Sequence, residues 1–229
     1  MTLVSQIISD GLRESNLIAV SASPTTAQQT EALNRLQALV LSCLGNEAGY
    51  ILEDWNIVSS TSITRPSGLP VASANLATFT VWPNSRLFCN LTEAVELDLD
   101  PQPQDGQRLS AIDVAGNFGT YNFTLNPNGR KIQGTTSNLI LSANDDSGQW
   151  LYRSDIADWV LIDTLAAGSE MPFPVDYDDY FVTMLAMRLN PRYGKALSEL
   201  TKARLDQQTE QISRRYDQTR LQPVSPPSS

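Results

Sequence analysis

Few side chains in this sequence have the types and spacing that chemistry uses. Asp176, Asp178 and Asp179 crowd three carboxylates into four residues, a set that could ligate magnesium and serve a metal-dependent hydrolase. The same residues follow Pro172 and Pro174 and precede an apolar periodic run, where a helix N-terminus favours negative charge without any metal. Asp98-Leu99-Asp100 with Asp105-Gly106 loosely resembles a calcium loop, but Pro101 and Pro103 break the spacing and no bidentate glutamate follows. Cys43 and Cys89 form neither a disulfide framework nor a zinc site and read as buried small hydrophobes. Histidine is absent, which removes the commonest general base and the commonest metal ligand together. No Gly-rich phosphate loop, nucleophile elbow or Cys-centred motif appears. The expectation is a protein without catalytic residues, bound metal or cofactor.

The element that must position these residues runs from Glu170 to Gly194. A helix is expected to begin near Asp176, to carry Phe181, Met184, Leu185 and Leu189 with Tyr177 and Tyr180 on one broad apolar stripe, and to end at Asn190-Pro191. Tyr193 follows as a further packing residue. Upstream, Leu3, Val4, Ile7, Ile8 and Leu12 mark a short helix closed by Gly11 or by Ser15-Asn16. A second helix, capped by Thr25 or Thr26, carries Leu33, Leu36, Val40, Cys43 and Leu44 to about Ala48.

From Ile57 the texture changes to β-branched residues, prolines and turn signals. Strands are expected at 57–63, 77–81, 86–91, 107–114, 122–125, 138–142, 149–153 and 158–162. Turns fall at Arg65-Pro66-Ser67-Gly68, Trp82-Pro83-Asn84-Ser85, Ala115-Gly116-Asn117, Asn126-Pro127-Asn128-Gly129 and Asn144-Asp145-Asp146-Ser147-Gly148. Short strands at this spacing predict a small antiparallel sandwich or barrel. The expected fold class is α+β, a bundle of about four helices interrupted by an inserted antiparallel β domain. Its parts are 1–56 helical, 57–165 β, 166–216 helical, and 217–229 an extended C-terminal arm.

With 229 residues, 41% hydrophobic and 18% charged, the chain can bury a real core. A net charge of −9 argues against a broad nucleic-acid-binding face. No run of about twenty apolar residues suggests a membrane span, so a soluble chain with no membrane partner is expected. After Lys195 a long helix is sparsely apolar: Leu197, Leu200, Leu205 and Ile212 are scattered among charges and glutamines, so only its first half, 196–205, should pack fully. Residues 221–229 are either a disordered end or an arm ordered by binding. Trp55, Trp82, Trp150 and Trp159 fall at β elements, where core packing is the default and a binding face the alternative. Arg188, Arg192, Lys195 and Lys202 form either a basic patch or a solvated face.

Two helices ahead of a β region, then Glu170-Met171-Pro172, an aromatic-rich helix ending in Arg188-Leu189-Asn190-Pro191-Arg192-Tyr193-Gly194, and a long polar helix together resemble the head-to-tail adaptor proteins of tailed bacteriophages. The likeness is to the podovirus type, also called tail tubular protein A or head completion protein. The resemblance implies a structural virion protein, assembled in the host cytoplasm, that forms a homododecameric ring beneath the portal protein. It implies that the C-terminal helix and arm, with Arg214, Arg215, Tyr216, Arg220, Leu221 and Pro223, reach the portal. A tail nozzle or hub would stack below, and genomic DNA would pass through the ring without specific binding. Asn126 to Gly134 further resembles β modules of tail-fibre and spike attachment regions, which makes Asn128 and Arg130, with Trp82, Trp150 and Trp159, candidates for fibre or spike contact. The alternative is a carbohydrate- or protein-binding tail module acting through its β domain.

Overall fold

The computed structural model describes residues 2–43, 54–65, 70–73, 76, 79–82, 84–193 and 199–220; side chains at 42–43, 54–55, 70–73, 191–193 and 211–220 fall outside the description. The chain divides into two compact units, one of Met1–Ala48 with Thr164–Ser229, the other of Gly49–Asp163.

In the first unit, α1 (Val4–Glu14) buries Val4, Ile7, Ile8, Gly11 and Leu12 at helical spacing. Ser15 is its C-cap, and Asn16 follows in the left-handed region at φ 58°. Gly11 therefore does not close the helix. It lets α1 approach another helix, since a Cβ there would lie 2.9 Å from Leu185 Cδ2. Thr25 caps α2 (Thr26–Cys43) reciprocally: its Oγ1 accepts the Gln28 N–H at 3.3 Å, and its own N–H donates to Gln28 Oε1 at 2.9 Å. The expected end of α2 near Ala48 lies outside the described residues.

A single 3-10 turn, Val175–Tyr177, leads into α3 (Asp178–Tyr193). Phe181, Leu185 and Leu189 are buried on α3, with Tyr177 and Tyr180 just ahead of or at its start, and Met184 is half-buried. α1, α2 and α4 (Glu199–Arg220) all pack on α3. The helix does not stop at Asn190-Pro191 but continues to Tyr193. A proline this close to the C-terminus removes one hydrogen bond of the last turn and leaves the earlier ladder intact.

The second unit is built from eleven strands: β1 (Asp54–Ser59), β2 (Ser62–Thr64), β3 (Pro70–Ser73), β4 (Ser85–Asn90), β5 (Val95–Asp98), β6 (Arg108–Asp113), β7 (Phe123–Asn126), β8 (Lys131–Ile132), β9 (Leu139–Leu141), β10 (Ser147–Arg153) and β11 (Asp158–Leu161). Eight form one sheet in the order β3-β2-β1-β4-β6-β10-β11-β8, and three form another in the order β5-β7-β9.

The expected α+β helical bundle interrupted by an antiparallel β domain is overturned by this arrangement. Among the described residues there are only four α-helices, and the architecture is dominated by a large mixed sheet wound in a solenoid-like way. β1 pairs with β4, β4 with β6, β5 with β7 and β11 with β8 in parallel. Between β4 and β6 the chain passes through β5 of the small sheet, and between β5 and β7 through β6 of the large one, and each returning strand runs parallel to the one before it, where a hairpin would reverse it; β10 with β6 and β9 with β7 are antiparallel.

The expected strand at 57–63 is a hairpin, because Ser60 and Thr61 turn the chain between β1 and β2. Of the expected strand at 77–81 the described part is an isolated bridge, Thr80 with Asp98. β3, β5 and β8 were not anticipated. On the inner face of the large sheet, Val58, Leu87, Cys89, Leu109, Ala111, Trp150, Tyr152, Trp159 and Ile132 join Val95, Leu97, Phe123, Leu125 and Leu141 of the small sheet in one buried cluster. Period-two alternation, as in the buried-exposed pattern of β4, produces that face.

Candidate assembly interface

Within the first unit, α4 has the least complete packing. Over residues 199–210 only Leu205 is buried, at 7% exposure, while Leu200 is 80% exposed. Leu200 therefore does not join the packed half of the helix as the sequence suggested. At twenty-two residues α4 spans about 33 Å at 1.5 Å per residue, and over its described side chains, 199–210, one leucine is buried. Polar contacts supplement that leucine. Asp179, in the first turn of α3, accepts hydrogen bonds from Arg204 and Gln208, and Thr201 Oγ1 donates to Glu14 Oε1 at 3.4 Å. The Arg204–Asp179 pair is half exposed on both sides, so screening leaves it worth little in stability.

Protein contacts engage two of the three clustered carboxylates, Asp178 and Asp179. Asp178 Oδ2 accepts the Thr2 hydroxyl, and Asp179 is engaged as described. In the calcium-like segment, Asp98 Oδ1 accepts Asn126 Nδ2 at 2.8 Å, Asp100 Oδ1 accepts the Gln102 N–H at 2.8 Å, and Asp105 Oδ1 accepts the Ser154 N–H at 2.9 Å. These carboxylates face different protein donors, and no group of three or more Cys, Asp or Glu side chains is placed to hold a metal ion among the described residues. Burial raises the Cys89 thiol well above its ordinary pKa, with the Asp113 charge adding to the effect, so this thiol stays protonated and inert. The side chain of Cys43 lies outside the described residues.

Of the residues expected to face the portal, Arg214, Arg215, Tyr216 and Arg220 fall in the last turns of α4 with side chains outside the description, and Leu221 and Pro223 lie outside the described residues. Tyr193 ends α3, its side chain likewise outside. Of the four basic residues read as a patch or a solvated face, Lys202 pairs with Glu199 at 2.7 Å and Arg188 is half-buried, while the side chain of Arg192 and all of Lys195 lie outside the described residues.

The β-unit candidates separate into buried and surface residues. Trp150 and Trp159 are core, at 1% and 3% exposure, and cannot serve as contact platforms. Strand register decides this: Trp150 lies opposite Leu109 and Leu161, and Tyr152 opposite Trp159, all on the inner face. Trp82 is half-buried, edge-on to Phe79 at 4.7 Å, and its ring is covered by the Arg65 guanidinium at 4.5 Å. A sugar stacking on that face would have to displace Arg65. Asn128 occupies a left-handed turn position at φ 52° and donates Nδ2–H to the Leu99 carbonyl at 3.0 Å, while Arg130 donates Nε–H to the Pro101 carbonyl at 3.0 Å. Both pin the 126–130 turn to the chain after β5, which is a structural role.

Two carboxylates gained importance that the sequence did not signal. Burial works to raise the pKa of Asp113, but backbone N–H groups of Phe118, Asn117, Asp145 and Ala115 overcome it and hold the carboxyl below its ordinary value. Burial raises the pKa of Asp158, only partly opposed by the Gly134 N–H, by Lys131 and by Arg153. Asp113 begins an Asp-Val-Ala-Gly-Asn run that reads as a turn, so an Asx-type bond to Ala115 was legible, but its bond to Asp145 joins segments thirty-two residues apart. No helix among the described residues is long and apolar enough to cross a membrane. No protein-family model matches the chain, and no curated protein matches it by sequence.

Proposed function

We propose that the chain is a structural protein of a tailed-phage virion, a head-to-tail adaptor whose copies form a ring, twelve in the resemblance, between the portal and the tail. The observation that carries this reading is α4: twenty-two residues of which a single leucine among 199–210 is buried. A helix so thinly anchored over 199–210 gains packing on assembly in this reading. Its last seven residues, 214–220, carry Arg214, Arg215 and Arg220 against Asp217 in a chain of net charge −9, so the helix end is basic where the rest is acidic. That asymmetry suits contact of α4 and the residues after it with a portal surface. The acidic remainder suits a channel through which DNA slides without binding.

In this reading the β unit offers the platform for a nozzle or hub and for fibres or spikes, with Asn128, Arg130 and the Arg65-covered Trp82 at its surface. The protein acts by assembly and uses no cofactor or catalytic group. Electron microscopy with mass determination of the protein mixed with its portal tests the proposal. A closed ring bound to the portal is the expected result, and a monomer that never associates with portal at any ratio would overturn it.

A further inference from the structure

Asn128-Gly129 is the only Asn-Gly pair in the sequence, and it forms the centre of the turn between β7 and β8. Asn128 at φ 52° and Gly129 at φ 84° both occupy the left-handed region, and the Arg130 N–H donates to the Pro127 carbonyl at 3.0 Å. Two positive φ values closed by that bond make a type I′ turn, the geometry that Asn-Gly favours. Gly129 is exposed, a Cβ added there would meet nothing within 4 Å, and among the described residues no protein group accepts its N–H. The turn is pinned to the chain after β5, with Asn128 Nδ2–H donating to the Leu99 carbonyl at 3.0 Å and Arg130 Nε–H to the Pro101 carbonyl at 3.0 Å.

An asparagine followed by glycine carries its own electrophile and nucleophile. The Gly129 nitrogen can attack Asn128 Cγ because Gly129 has no side chain to hinder it. The N–Cγ bond forms as Cγ–Nδ2 breaks, Nδ2 leaves as ammonia with the proton from the Gly129 nitrogen, and water opens the succinimide to aspartate or isoaspartate. Ring closure needs that nitrogen on the Cβ side of the Cα–C bond. A type I′ turn sets ψ of its first central residue near about +30°, where the two are nearly anti, so the folded turn withholds the reaction that its sequence favours.

We propose that Asn128 is a deamidation site latched by its own turn: it converts only when 127–130 opens, and conversion makes the opening permanent. Aspartate has no Nδ2–H to give the Leu99 carbonyl, and its carboxylate would face that oxygen unpaired. Isoaspartate adds a methylene to the backbone, which the turn does not accommodate. Each converted copy gains a negative charge at a surface turn. The chemistry belongs to the single chain and does not depend on assembly.

Peptide mass mapping of the full chain held at mildly alkaline pH tests this, following conversion at residue 128 in folded protein, in denaturant-unfolded protein and in Arg130→Ala. The unfolded chain should convert at Asn128 ahead of every other asparagine. Folded wild type should convert there about tenfold or more slowly, because only the open fraction reacts. Arg130→Ala should convert about three- to tenfold faster than folded wild type, since one net hydrogen bond is lost. An unfolded chain that keeps Asn128 while other asparagines convert would overturn the site, and folded wild type converting as fast as the unfolded chain would overturn the latch. That comparison needs no variant. An Arg130→Ala rate equal to that of wild type would overturn the pin to Pro101 as part of the latch.

Discussion

Asp113 Oδ2 accepts the Phe118 N–H at 2.9 Å, and this bond fixes how the chain leaves the large sheet. The same oxygen takes the Asp145 N–H at 3.2 Å and Oδ1 takes the Ala115 N–H at 3.3 Å. One carboxylate therefore ties the loop after β6 to the loop before β10, and sets Phe118, fully buried, in a stack with Phe123 at 5.6 Å.

The lowered pKa of Asp113 makes its contribution depend on pH in a definite sense. A carboxyl whose folded pKa lies below its unfolded value contributes stability that is present above pH 3.8 and is lost as pH falls through the folded value. Asp113→Ala should cost about 2–3 kcal/mol near neutral pH, because several backbone N–H groups lose a charged acceptor. Denaturant unfolding of wild type and variant from about pH 6 to about pH 2 checks this. The gap between the two curves should narrow on acidification, and a constant gap would refute the assignment.

Asp158 should behave in the opposite sense. Burial raises its pKa above the ordinary 3.8, so the folded state favours the protonated carboxyl. The stability it contributes is present below pH 3.8 and is lost as pH rises through the folded value. Asp158→Asn keeps an oxygen to accept the Gly134 N–H, now at 2.8 Å, and removes the buried charge. Relative to wild type the variant should gain stability between acid and neutral pH, measured by the same titration, and a falling difference would count against the burial argument.

Gly148 lies beneath Trp150 on the inner face of β10: a Cβ there would come within 2.2 Å of the indole Cη2 and 2.4 Å of Cζ2. The indole is rigid and 1% exposed, so it has no free space to move into. Gly148→Ala should destabilise by about 2–3 kcal/mol and change the tryptophan emission, because overpacking displaces the largest side chain of the core. Thermal unfolding followed by fluorescence decides it, and an unchanged midpoint would mean the sheet yields more easily than its register suggests.

How far the sequence foretold this molecule follows from the range of each signal. The α1 and α3 stripes were legible because helical periodicity is local, and the cap of α2 was legible to within one residue, Thr25 or Thr26, for the same reason. Val95-Glu96-Leu97-Asp98 alternates as strictly as any strand here, yet Asp98 was read with Asp100 and Asp105 as a calcium-like loop and β5 was missed. Parallel pairing of β4 with β6 was not legible, since strand direction depends on which sheet takes β5 between them, a non-local choice. The burial of Trp150 and Trp159 depended on register in the same way. The thin anchoring of α4 was visible in its composition, whereas the contact of Asp179 with Arg204 and Gln208 required two helices to be placed in space.

That last contact yields a prediction separating local from global stability. Asp179 receives both Arg204 and Gln208, one helical turn apart on α4, and with Leu205 it forms the clasp that holds the helix to α3. The pair is half exposed, so Asp179→Asn should leave the unfolding midpoint of the protein nearly unchanged, within about 0.5 kcal/mol. The helix itself should open more often, because local opening depends on the few contacts that bind that element and not on the core of the unit. Limited proteolysis and amide exchange read the two effects apart: cleavage and exchange across 199–210 should quicken in the variant while α1 and α3 keep their protection. If α4 and α1 lose protection together, the clasp belongs to the cooperative core, and the helix is not the independently mobile element that the proposed assembly on a portal would use.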